Sequence, residues 1–219
     1  MSQDLHQPIN NKNFENGLLK MAAQDHEAAE VYFQKGLKEA QEAGDAHLEA
    51  LFYSTLGMLS RQLKDFRQAS KYYDKAEKLL PEEPSLKIIS ARLLIDVFGQ
   101  YETAIKRCQK VLDLPNINAN FRHHARSTMG MAYLKDGQKE KALECFQETF
   151  EKDLDELVSA GQMDLMLLEM LVQRKVGIEQ CGAYLEEGIK KARDHQEESV
   201  AALFKKLHDA FCATFVKGA

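Results

Sequence analysis

The sequence predicts an all-α fold built from stacked helical hairpins, and three observations carry that prediction. The chain of 219 residues contains only 4 Pro and 12 Gly. That is too few breakers for a fold of many strands and turns, and it suits long helices joined by short turns. Hydrophobic residues make up 44% and charged residues 29%, the balance of a folded soluble chain rather than a disordered one. Finally, one set of small and aromatic residues recurs at fixed offsets, which is how a repeated supersecondary unit shows itself in a sequence.

The clearest repeat runs from Tyr53 to Pro81. Leu56-Gly57 is followed by Ala69, Tyr73, Ala76 and Pro81, at twelve, sixteen, nineteen and twenty-four residues after the glycine. Gly17 is followed in the same way by Ala29, Phe33 and Gly36, and Gly130 by Ala142, Phe146 and Thr149. Two weaker repeats complete the series. One has Arg92, beside Ala91, in the small-residue position, then Ala104, Cys108 and Val111. The other is anchored at Glu169 and continues with Cys181, Leu185 and Gly188. The anchors 17, 57, 92, 130 and 169 are 40, 35, 38 and 39 residues apart. Small residues such as Gly57 and Ala69 belong where two antiparallel helices cross closely, while Tyr73 and Phe146 fill the space to the next pair.

Eleven helices follow in order: 11–23, 25–43, 46–63, 65–80, 84–97, 100–113, 120–136, 138–153, 156–175, 177–195 and 197–216. Asp65 is placed to cap a helix start, and Gly99 and Gly137 to take the left-handed turn conformation. Asn13 and Asn16 stand where the second repeat has Tyr53 and Leu56, which gives the first helix the polar outer side a terminal repeat needs. The last helix carries Val200, Leu203, Phe204, Leu207, Phe211 and Phe215 on one face. An amphipathic helix of this kind closes the array or, on a second reading, pairs with another copy of the chain as a homodimer. The organisation expected is a flexible N-terminus at 1–9, a repeat array at 10–195 and a capping helix at 196–219, as one domain.

These residues and offsets resemble the tetratricopeptide repeat family over about residues 10 to 195. The period is longer than the family's usual 34 residues, so the chain looks like its longer-helix variety. The resemblance implies a right-handed α-solenoid of about five hairpins plus a closing helix. It also implies that the first helix of each hairpin lines a concave face that binds an extended peptide or a partner helix. Counted from each anchor, the inward positions lie six and three residues before it, and one, four and five after.

Six of the eight methionines fall on those positions: Met21, Met58, Met131, Met163, Met166 and Met170. Leu18, Arg61, Leu93 and Arg174 share them. Methionine is unbranched and polarisable, so such a face adapts to different apolar side chains. The arginines would orient a partner through its carboxylates. The alternative is that these methionines fill core between hairpins, which their burial decides. Some family members hold chaperone C-termini with a clamp of Lys, Asn and Arg. The corresponding positions here are Phe14, Leu18, Thr55, Leu86 and Ser90, or, one repeat on, Ser54, Met58, Ser90, His124 and Thr128. Neither set grips two carboxylates.

The remaining patterns exclude more than they suggest. Lys+Arg number 29 against Asp+Glu 34, for a net charge of -5, a poor match to a nucleic-acid backbone. No apolar stretch approaches the length of a membrane span, and no leader pattern opens the chain, so the expected compartment is the cytoplasm. Cys108, Cys145, Cys181 and Cys212 form no C-x-x-C pair and read as small core residues on successive helices. The seven histidines make no ligand motif, and no phosphate loop or nucleophile elbow is present. No metal, cofactor or catalytic residue is expected. The function expected is a non-catalytic scaffold or adaptor that binds a segment or amphipathic helix of another protein. The alternatives are a secretion-type chaperone shielding an apolar segment of its client, and a regulator that changes superhelical pitch on sensing a peptide or small ligand.

Overall fold

The computed structural model of the chain describes residues 11–161 and 163–215. The segment expected to be flexible, 1–9, lies outside them. The described residues form α-helices and no strand. The helices are α1 (Lys12–Ala22), α2 (His26–Ala43), α3 (Ala46–Gln62), α4 (Phe66–Leu79), α5 (Pro84–Leu93), α6 (Tyr101–Leu112), α7 (Ala119–Lys135), α8 (Lys139–Lys152), α9 (Leu154–Ser159), α10 (Met166–Gln173), α11 (Ile178–Asp194) and α12 (Glu198–Phe215). None is long and apolar enough to cross a membrane.

Local chemistry sets the helix starts. Asp25, Asp45 and Asp65 each accept a backbone N–H three residues on, from Ala28, Leu48 and Gln68 at 3.2, 3.0 and 3.0 Å. Asn11 and Asn118 do the same for α1 and α7. Each satisfies one of the N–H groups that a helix start leaves without a partner. Directly before those aspartates, Gln24, Gly44 and Lys64 take the left-handed conformation, with φ of 60°, 69° and 61°. Cap and turn therefore recur every twenty residues, two helices to a repeat. Gly99 and Gly137 are left-handed as expected, with φ of 62° and 84°.

The helices group into two compact units, divided between Leu86 and Lys87. In the N-terminal unit α1 pairs with α2 and α3 with α4, and α2 also packs on α3. The core is Phe33, Phe52, Leu56, Leu59 and Tyr73. Its packing follows one rule of spacing. A Cβ on Gly17 would lie 2.3 Å from the Phe33 ring, on Gly36 2.1 Å from Phe52, and on Gly57 2.5 Å from Tyr73. Each glycine thus lies under an aromatic ring sixteen residues later, the offset that one helix, a tight turn and part of the next helix produce.

In the C-terminal unit the same rule joins Gly188 to Phe204, whose ring a Cβ on Gly188 would meet at 2.4 Å. Gly130 departs from it. A Cβ there would lie 2.5 Å from Leu167 of α10 and 3.2 Å from Cys145, while Phe146 packs on Tyr184 with ring centroids 4.8 Å apart. The apolar face of α12 is buried through Val200, Phe204 and Phe211, and Leu203 stays exposed. Cys108, Cys145 and Cys181 are core residues and Cys212 is half-buried. Burial pushes the first three thiols up to about 12.

Two expected helices differ. The helix expected at 156–175 is two short ones, α9 and α10. Gly161 turns left-handed at φ 65°, and the Asp164 carboxylate accepts the Met166 N–H at 3.0 Å, starting α10 afresh. The end of the helix expected at 84–97 is a π-helical turn, Leu94–Phe98.

Candidate functional site

The inward positions behave differently in the two units. In the N-terminal unit, Leu18 and Met21 are one turn apart on α1, and Leu51, Ser54, Met58 and Arg61 run along α3 at helical spacing. Leu18 is 37% exposed. Met21 is half-buried against the Phe33 and Phe52 core, and Met58 is half-buried as well. Arg61 is exposed. It forms no ion pair or hydrogen bond among the described residues, although its charge faces Tyr73. Burial pushes that phenol up to about 12, against the pull of the Arg61 guanidinium. Near the start of α3 the stripe runs into a small cleft of about 60 Å³, lined by Leu51, Ser54, Leu80, Glu83 and Leu86. The result is a surface of adaptable apolar groups ending in an unpaired cation.

In the C-terminal unit the structure corrects two expected contact residues. Leu93 and Met131 are 3% and 1% exposed, so both are core and neither can meet a partner. The break at Gly161 lets α10 pack directly on α7, and Leu167, Leu168 and Leu171 of α10 join Met131 in one apolar cluster. Met163 and Met170 are half-buried against the same cluster. Met166 remains 43% exposed, with its sulfur accepting from the Arg92 guanidinium at 3.5 Å. Arg174 is engaged within the unit, donating to the Leu134 carbonyl at 2.7 Å. Lys135 and Asp96, two more inward positions, pair with each other at 2.8 Å.

The sequence reading missed a polar cluster here. Arg92 donates through Nε to Thr128 Oγ1 at 3.2 Å and forms an ion pair with Asp164. His124 Nδ1 lies 3.3 Å from the same carboxylate. The Asp164 backbone N–H donates to His123 Nε2 at 2.9 Å, so in the neutral ring the proton sits on Nδ1. Burial, helped by neighbouring His124, pushes His123 down to about 4. Burial, then the Arg92 charge, lowers His124. The one signal available beforehand was an arginine in a position that three of the other repeats fill with glycine. A second pair, Arg126 with Asp153, is buried nearby, and Arg122 holds the same carboxylate at 2.8 Å. Among the described residues, no group of three His, Cys, Asp or Glu is placed to hold a metal ion.

Helical hairpins with glycines seated under aromatic rings, repeated along the chain, define an all-α solenoid of the repeat class. A tetratricopeptide repeat family model matches residues 50–82 and 123–151, the hairpins α3–α4 and α7–α8. These two hairpins are therefore tetratricopeptide repeats. Comparison with curated proteins gives no match.

Solved structures do resemble it. One is PilW, a widely conserved type IV pilus biogenesis factor, with TM-score 0.61, 14% identity, and coverage of 93% of this chain and 94% of that one. Another is yeast Tom70, with TM-score 0.61 and 15% identity, where 92% of this chain matches 39% of that one. A third is YrrB, described as a tetratricopeptide protein with an unusual peptide-binding site, with TM-score 0.51, 20% identity, and coverage of 89% and 90%. At these identities the likeness is one of fold.

Proposed function

We propose that this chain is a non-catalytic protein-interaction module, a scaffold or adaptor that takes an apolar segment or amphipathic helix of another protein against its first helices. The observation that carries this reading is the face of the N-terminal unit. Leu18 and Met21 on α1 and Met58 on α3 offer soft apolar contact, and Leu51 lines the cleft near the start of α3. Arg61 stands beside them with no ion pair of its own. The methionines and leucines would receive apolar side chains, and Arg61 would fix the orientation of an adjacent carboxylate. In the C-terminal unit Met163, Met166, Met170 and Arg174 remain contact candidates, on the smaller surface that packing leaves them. The peptide-binding site named for YrrB, a protein of similar fold, supports the reading by analogy. The four free thiols suit a reducing compartment such as the cytoplasm.

The test is affinity capture with the wild-type chain and with Met58→Glu and Arg61→Glu variants, each checked for native helicity. Met58→Glu should abolish recovery of the partner by placing a charge in the apolar face. Arg61→Glu should weaken it in a salt-dependent way. Equal recovery by all three proteins would overturn the assignment of this face.

A further inference from the structure

The C-terminal unit contains a second apolar recess, away from the inward positions of α7. The glycines of α11 let α12 pack closely beside it. Gly188 lies under the Phe204 ring, and a Cβ on Gly182 would come within 3.2 Å of Phe211, so these two aromatic side chains seat α12 against α11. Leu207 and Ala210 lie between them on α12. They border a cleft of about 160 Å³ whose opposite wall is Leu168 and Val172 of α10. Leu185 and Phe211 are buried in it. Glu169, Ala210 and Thr214 are exposed and lie at its rim.

Size and charge restrict what the cleft can take. A cavity of roughly 150 Å³ lined by aliphatic and aromatic side chains accommodates a benzene ring, so this cleft has room for one bulky side chain and no more. The lining is aliphatic and aromatic except for Thr214 and one carboxylate, Glu169. That carboxylate forms no ion pair or hydrogen bond among the described residues and is the only charged group in the lining. A cation beside the inserted side chain would complement it. We infer that the cleft between α10, α11 and α12 is an anchor pocket for a single Phe or Leu side chain of a partner segment that carries a Lys or Arg next to it. The inference rests on the reading of the chain as a binder of protein segments, but it places the anchor at a different site from Met58 and Arg61.

The experiment uses the full chain and three dipeptide probes, N-acetyl-Phe-Lys-amide, N-acetyl-Ala-Lys-amide and N-acetyl-Phe-Glu-amide, followed through backbone amide NMR shifts. The Phe-Lys probe should shift the signals of Val172, Leu207 and Phe211 saturably. The Ala-Lys probe should bind about tenfold or more weakly, the loss of one buried aromatic side chain. The Phe-Glu probe should bind more weakly than Phe-Lys, and Glu169→Lys should reverse that order. Ala210→Phe, a substitution at an exposed rim position, should fill the cleft and abolish the shifts. Met58→Glu should leave them unchanged, so that failure of the first-helix face and failure of this pocket can be told apart. No saturable shift at these residues, equal binding of the Phe and Ala probes, indifference to the Glu169 charge, or unchanged binding by Ala210→Phe would each overturn the proposal.

Discussion

Acid should destabilise this protein through one buried side chain. His123 is 4% exposed, accepts the Asp164 N–H at Nε2, and has its pKa lowered from 6.5 to about 4. In the unfolded chain the ring takes up a proton below about 6.5. In the folded chain it does so only below about 4. Between those values the unfolded state holds more protons, so stability falls as pH falls. The contribution is fully present above pH 6.5 and is lost as pH drops through 4. At about 1.4 kcal/mol per pH unit, the loss is about 2 kcal/mol by pH 5 and about 3 kcal/mol by pH 4.

The measurement pairs denaturant unfolding of wild type with that of His123→Gln across pH 7.5 to 4. Gln keeps an acceptor for the Asp164 amide but does not titrate. His124, Asp153, Arg92 and Arg126, the charged and titratable neighbours, are present in both proteins, so the difference between the two curves isolates His123. That difference should move by about 3 kcal/mol toward the variant as pH falls, and the His123 ring should titrate near 4 by NMR. A flat difference, or a ring that titrates near 6.5, would refute the reasoning.

Three other outcomes follow from the packing. Gly57→Ala places a methyl 2.5 Å from the buried Tyr73 ring. It should cost about 1–3 kcal/mol in a denaturant midpoint comparison, more than Gly44→Ala, which meets nothing within 4 Å and carries only left-handed strain of about 1 kcal/mol. Arg92→Leu strips the cation from an Asp164 side chain that is 5% exposed, so it should destabilise by about 3 kcal/mol. Adding Asp164→Asn should recover part of that loss, giving a coupling above about 0.5 kcal/mol in a double-mutant cycle. A thiol reagent at neutral pH should modify Cys212 first, because burial holds Cys108, Cys145 and Cys181 at about 12. Mass spectrometry should show a single fast addition, and the other three only on unfolding.

What the sequence determined by itself is the local grammar of the hairpin. Gly17, Gly57, Ala69 and Tyr73 could be read as close-crossing and gap-filling residues because a helix, a tight turn and the next helix bring positions sixteen apart together, as at Gly17–Phe33 and Gly57–Tyr73. Asp65, Gly99 and Gly137 could be read as cap and turn residues because their chemistry acts within three or four residues. Tertiary structure decided where that grammar fails. Ser159, Ala160 and Gly161 read as part of one long helix, and only the packing of α10 on α7 shows why the chain breaks there. The same packing buries Met131, leaving the inward positions of the N-terminal unit as the more accessible face. Arg92 and Asp164 are 72 residues apart, and nothing local to either announces the other. A side chain's exposure depends on which helix lands beside it, and that is a sum over distant contacts that no short window of sequence contains.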